Sequence, residues 1–265
     1  MHAVVIGAGI AGLATAALLG REGYKVTVVD SLDEVGGRAG SFAEAGFRWD
    51  TGPSWYLMPE AFDHFFALCG TSTEAELDLV DLSPAYRVFH GDAPVDVHSG
   101  IEEVTALFES LEPGAGEKVR AYLAQANDTY EMALKHFLYT TFSAPLNLVH
   151  RDIRSRLSRL VALLTVNLEQ YVGRTFSDAR LRQILSYPAV FLSSEPAAAP
   201  ALYSLMSHTD LVEGVRYPQG GFAAVVQAIY RQARKFGATF RLGEEVTSIK
   251  IANRRVTCVR TNKGA

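Results

Sequence analysis

Cysteine is nearly missing from this chain. There are two in 265 residues, Cys69 and Cys258, far apart and in no paired motif. That excludes a disulfide scaffold and a thiolate zinc site, and it fits a reducing cytoplasm. Strong charge of either sign is also lacking. A net charge of −4 offers no basic footprint, so no nucleic-acid partner is expected. No stretch reaches the roughly 18 to 20 uninterrupted apolar residues of a membrane-spanning helix, so the expectation is a protein that is soluble or rests on a membrane surface. The apolar N-terminus lacks the basic leader of a signal peptide. There is no G-x-S-x-G and no H-E-x-x-H, and the seven histidines are scattered. Hydrolase and metalloenzyme readings fall away, and no metal is expected. Internal repeats and low-complexity segments are absent; EPAAAP, residues 195–200, is a small-residue loop. What remains is 48% hydrophobic and 20% charged, an ordinary globular composition for one large or two small domains.

The informative part of the chain is its start. Val4 to Ile6 is a short apolar run of the kind that makes a buried parallel strand. Gly7, Gly9 and Gly12 follow as G-x-G-x-x-G at a strand-to-helix turn. Gly7 permits the tight turn, Gly9 lets the backbone approach a pyrophosphate, and Gly12 lets the helix pack on the strand. Ile10 and Ala11 place their amides at the helix start, where they point at phosphate. Lys25 to Val29 reads as the second strand, closed by Asp30, whose carboxylate can accept from an adenosine ribose. A lone glycine motif is weak, but strand, glycines, helix, strand and acid all fall within thirty residues in the expected order. A glycine-rich helix–strand contact without ligand would explain Gly12 and leave Gly7, Gly9 and Asp30 unexplained.

Gly36, Gly37 and Arg38 come next. The glycine pair admits close backbone approach to an extended cofactor, and Arg38 supplies a fixed cation. FRWDTGPSWY follows at residues 47–56. This pattern resembles the flavin-containing amine oxidase superfamily, where G-G-R follows the ribose acid and a D-x-G-P stretch runs near the isoalloxazine. Within it the chain looks most like the bacterial carotenoid desaturases of the phytoene desaturase (phytoene dehydrogenase) type. YRVFHGDAPVDVHS (86–99) looks like their first substrate-domain hairpin. LRQILSYPAVFLSSEPAAAPALYSLMSH follows their helical pattern, and VRYPQGGFAAVVQAIYRQARKFGATFRLGEEVTSI (215–249) matches their return to the flavin domain. The resemblance covers nearly the entire chain.

The resemblance implies an α/β fold: a Rossmann-like FAD-binding domain with an inserted, mainly helical substrate domain that carries a β-hairpin. Residues 1–80 would form the first FAD-domain segment, 81–213 the substrate and membrane-facing domain, and 214–265 the return segment. In the resembling family more chain follows, so the sequence reads as an N-terminal half. A short homologue, complete as it stands, is the alternative. A second polypeptide supplying the other half would be a partner.

The resemblance also implies the chemistry. FAD would be the cofactor, held by Gly7, Gly9, Ile10, Ala11, Gly12, Asp30, Gly36, Gly37 and Arg38. Val246 would meet the adenine through its backbone, and Gly52 and Pro53 would lie near the flavin ring. Asp50 could lie there too, or simply cap a turn. Pro218, Gly220 and Gly221 form a P-x-G-G turn that opens a helix, beside the flavin or the substrate tunnel in the resembling family. The reaction would be desaturation of a long polyene such as phytoene, in carotenoid biosynthesis, by hydride transfer to flavin. Another amine oxidase-type oxidoreductase, or a flavin-binding fragment inactive without its other half, are the alternatives.

Proton loss needs an acceptor, and Asp152 in HRDIRSR is one acidic candidate. The acid–base spacing of the resembling desaturases is not kept there, and a helix N-cap or surface ion pair is the reading that the residues themselves favour for Asp152. Ile153, Leu157, Leu160, Val161, Leu164 and Leu168 fall on one helical stripe. His150, Arg151, Arg154, Arg156 and Arg159 crowd its start. Such a helix can lie on an anionic bilayer, peripheral to the inner face of the cell membrane, or turn its stripe into a core.

Overall fold

The computed structural model describes residues 1–91, 93–140 and 151–264, with Ala93 and Asp152 described by their backbone alone. The chain divides into two units. The first comprises Met1–Val80 and Arg216–Ala265; the second is Asp81–Val215.

The first unit opens with β1 (His2–Ile6), α1 (Ile10–Arg21) and β2 (Lys25–Val29). The hairpin β3 (Ser41–Glu44) and β4 (Phe47–Asp50) follows, then α2 (Pro59–Leu68), α3 (Thr73–Glu76) and β5 (Leu79–Asp81). In the second unit come β6 (Tyr86–His90), β7 (Ala93–Val97), α4 (Ile101–Leu111), α5 (Ala115–Ala133), α6 (Arg151–Ser155), α7 (Leu157–Thr165), α8 (Leu168–Gly173), α9 (Ala179–Ser186) and α10 (Met206–His208). The chain then returns to the first unit with β8 (Arg216–Pro218), α11 (Phe222–Lys235), β9 (Thr239–Arg241), β10 (Val246–Ala252) and β11 (Arg255–Thr261).

The first unit is built on a parallel sheet in the order β1–β2–β9. One face carries α1 and α11. Leu13, Ala16 and Ala17 of α1 share a core with Phe222, Val225, Val226 and Ile229 of α11 and with Val26 and Val28 of β2. α11 is amphipathic at helical spacing: Val225, Val226 and Ile229 are buried, while Gln227, Arg231 and Arg234 face solvent. Arg234 and Lys235 fall in its last turn, where they complement the helix dipole. The expectation of a buried first strand is corrected. β1 alternates, and Val4 and Ile6 on its far face are exposed, because the two helices cover only the other face. A cleft of about 960 Å³ separates that far face from residues of the antiparallel β10–β11 hairpin.

The second unit is mainly helical, with β6 and β7 as an antiparallel hairpin pairing Tyr86 with Val97 and Val88 with Val95. Val104 and Phe108 of α4 and Val119, Tyr122 and Leu123 of α5 form its core with Phe176, Leu181 and Ile184. Glu109 ties the α4–α5 connection by accepting from the amides of Gly114 and Gly116. The single helical stripe expected from Ile153 to Leu168 is corrected, since it falls on three helices, α6, α7 and α8. α7 begins after Arg156 and ends at Val166, whose backbone is extended, and Asn167 then caps α8 by accepting from the Gln170 amide. The apolar stripe is not buried as a whole: Ile153, Leu160 and Leu168 are buried, whereas Leu157, Val161 and Leu164 are exposed.

Candidate cofactor site

The glycine turn sits at the carboxyl end of β1. The Gly7 amide donates to the Val29 carbonyl at 2.8 Å, which anchors the turn to β2. Gly9 is the N-cap of α1, so the amides of Ile10, Ala11 and Gly12 occupy a first turn that no helical carbonyl precedes. They are open to an anion. Gly12 is required by packing: a Cβ there would stand 1.9 Å from the Gly7 carbonyl oxygen.

Gly36 and Gly37 lie beside the first glycine turn. The Gly36 amide donates to the Ala8 carbonyl at 2.9 Å, and Gly9 and Gly36 form a parallel bridge. A Cβ on Gly37 would approach the Gly9 Cα to 3.3 Å. The second glycine pair therefore makes room for the first turn's backbone. Arg38 follows on a tight turn with an exposed side chain. Gly52 closes against it, since a Cβ there would meet the Arg38 carbonyl oxygen at 2.0 Å. Pro53 is the next residue and is exposed.

Asp30 is more occupied than the sequence suggests. Its Oδ2 accepts from the Ala8 amide at 2.6 Å and its Oδ1 from the Leu32 amide at 2.8 Å. The carboxylate thus stabilises the glycine turn itself. Each oxygen keeps a second lone pair, so acceptance from ribose hydroxyls stays open. Gly7, Asp30 and Val246 come together in one cleft of about 230 Å³, whose rim also holds Ser31, Glu244 and Glu245. The two glutamates were not singled out from the sequence; their position at the start of β10, opposite the β2 acid, is a tertiary fact. Glu244 is bound to Arg241 at 2.6 Å, and this contact holds its carboxyl below the usual range.

Asp50 caps a helix distant in sequence. Its carboxylate accepts from the Phe222 and Ala223 amides at the start of α11. Gly221, from the P-x-G-G turn, is the N-cap residue of that helix.

The proposed proton acceptor is in the other unit. Asp152 falls inside α6, not before it, and its side chain lies outside the described residues, as does His150. The expected basic crowd is also revised. Arg156 and Arg159 both bind Asp128 of α5, and the Arg156 contact, with its neighbour, holds that carboxyl down to about 2. Arg151 and Arg154 are exposed.

A parallel β–α–β unit with a glycine turn after its first strand and an acid after its second has the form of a dinucleotide-binding Rossmann unit. Residues 10–264 match the family described as flavin containing amine oxidoreductase. The chain belongs to this family, and its cofactor is FAD. It is 38% identical over 249 residues to a carotenoid 3,4-desaturase of Haloarcula japonica, covering 92% of this chain and 50% of the relative. It is 37% identical over 268 residues to a phytoene dehydrogenase of Streptomyces griseus, covering 99% and 52%. Among solved structures, a putrescine oxidase bound to putrescine superposes with a TM-score of 0.61 at 19% identity, over all of this chain and 56% of that one. That likeness is one of fold. The chain spans about half the length of the curated relatives it matches.

Proposed function

We propose that this chain takes part in the FAD-dependent desaturation of a carotenoid precursor such as phytoene. The observation that carries the reading is the identity of 37–38% with a carotenoid 3,4-desaturase and a phytoene dehydrogenase over 92–99% of the chain. Activity is proposed for the chain together with a counterpart of the relatives' other half, joined to it or supplied by a second polypeptide. The glycine turn and the α1 amides would hold the pyrophosphate, Asp30 and the Val246 backbone the adenosine, and Arg38, Gly52 and Pro53 the flavin side. Bound FAD supplies a two-electron acceptor for hydride from a saturated C–C unit, the adjacent hydrogen leaving as a proton. Asp152 is proposed as one acceptor of that proton.

A polyene dissolves in lipid, so a membrane surface is the proposed place of encounter. The exposed apolar face of α7 supports this: Leu157, Val161 and Leu164 are 53%, 50% and 57% exposed at helical spacing. Arg151 and Arg154 are exposed just before it, as on helices that lie on anionic bilayers. Among the described residues no helix is long and apolar enough to cross a membrane. Peripheral attachment to the cytoplasmic face is the reading proposed.

The test uses phytoene in anionic liposomes, FAD and the chain co-expressed with the remaining half of the Streptomyces griseus relative. Formation of more conjugated products, seen by absorbance after chromatography, is expected. Stoichiometric flavin uptake without any change in the polyene would overturn the substrate assignment. Replacing Leu157, Val161 and Leu164 together by serine should abolish co-flotation with the liposomes while flavin uptake persists; undiminished flotation would overturn the membrane reading.

A further inference from the structure

We propose that Asp50 is a positioning residue that joins the flavin-side loop of the cofactor site to the N-terminus of α11. The inference rests on the FAD reading of this unit. Asp50 ends β4, and both its oxygens are engaged. Oδ2 accepts from the Phe222 amide at 3.0 Å and Oδ1 from the Ala223 amide at 3.3 Å. These are first-turn amides, left without helical acceptors. The residue that would ordinarily cap them, Gly221, has no side chain to offer. It cannot be given one: its φ is +81°, and a Cβ would stand 2.9 Å from Asp50 Oδ1. The capping acid is thus imported from 172 residues away, where it also complements the positive end of the helix dipole.

The residues just after Asp50 are held at their other end. The Thr51 amide donates to the Gly40 carbonyl at 2.9 Å. Gly52 packs on the Arg38 carbonyl with no space for a side chain. The 50–52 stretch therefore spans from α11 to the G-G-R turn. α11 shares its core with α1, the helix that begins on the glycine fingerprint. One carboxylate fixes the Arg38–Pro53 side of the site relative to the phosphate side. Both oxygens bond first-turn amides, and this gives the carboxylate its geometric role.

The test compares Asp50→Ala and Asp50→Asn with Asp178→Ala, which removes an acidic N-cap from α9 in the other unit. Two readouts are needed: amide hydrogen exchange at Thr51, Phe222 and Ala223, and FAD affinity with the visible circular dichroism of the bound flavin. Asp50→Ala should speed exchange at Thr51 as well as at the helix start, and weaken FAD about tenfold, the effect of losing one strong cap. Asp50→Asn keeps one acceptor and should stay within about threefold of the parent. Asp178→Ala should lower the thermal midpoint yet leave Thr51 exchange, FAD affinity and the flavin spectrum unchanged. Unchanged Thr51 exchange in Asp50→Ala would overturn the inference, with or without FAD. If the parent chain alone takes up no FAD, it needs its other half to hold the cofactor, and the exchange result still decides the role of Asp50.

Discussion

Replacing Asp210 by asparagine should stabilise this protein at alkaline pH, and the structure sets the size of the effect. Asp210 is 1% exposed in the second unit. The Tyr86 hydroxyl donates to its Oδ2 at 2.8 Å, while among the described residues its Oδ1 has no hydrogen-bond partner. Burial pushes its carboxyl from 3.8 up to about 7, and the Tyr86 bond only partly offsets this. Between pH 4 and 7 the unfolded chain is ionised at this residue while the folded chain keeps the proton. The folded state then binds more protons, so its stability falls as pH rises through that window and levels off above it. At about 1.4 kcal/mol per tenfold change in proton affinity, the rise from 3.8 to about 7 puts the span at about 4 kcal/mol. Asparagine is neutral throughout, and its oxygen can take the Tyr86 bond. Its amide inherits the unpartnered side, at a cost of about 1–3 kcal/mol. The net gain at pH 8 is therefore about 1–3 kcal/mol, with none at pH 5. Urea denaturation followed by far-ultraviolet circular dichroism at pH 5 and pH 8 measures this directly. An Asp210→Asn midpoint below that of the parent at pH 8, or an equal difference at both pH values, would refute the reasoning. Tyr86→Phe removes a bond that favours the ionised form, so it should extend the parent's fall to higher pH and enlarge its span.

Three further outcomes are expected. Gly12→Ala drives a methyl into the Gly7 carbonyl; it should abolish FAD uptake in a fluorescence titration and destabilise by about 1–3 kcal/mol. Phe108→Ala empties a fully buried site in the second unit and should cost about 3–5 kcal/mol by chemical denaturation. Asp128→Ala removes the partner of Arg156 and Arg159. All three groups are about a third exposed, so solvent screening limits the loss at pH 7 to about 1 kcal/mol. Because the Asp128 carboxyl is held down to about 2, the difference from the parent should persist near neutrality and vanish as acid protonates it between about pH 4 and pH 2. Thermal melts across that range check the sign.

The sequence by itself determined the elements whose causes are local. Gly7, Gly9, Gly12, the Lys25–Val29 strand and Asp30 are legible because strand, turn and helix all form within thirty residues, from spacing and glycine sterics. The hairpin flanking His90 is legible from YRVFHGDAPVDVHS through its likeness to the family. Family membership follows from these motifs, and with it the cofactor. Tertiary structure decided what depends on which distant surface arrives. The half-exposed face of β1 could not be read from VVI, because an apolar run does not say how many of its faces will be covered. The stripe over residues 153–168 looked continuous, yet within α7 alone Leu160 lies in the core while Leu157, Val161 and Leu164 face solvent, a division that depends on which side of the helix packs inward. Asp30 turned out to hold the glycine turn through Oδ2, on the Ala8 amide, and its own turn through Oδ1, on the Leu32 amide. Asp50 had only turn chemistry nearby in sequence; its helix starts at Phe222, and only the folded chain brings that uncapped amide pair to its carboxylate.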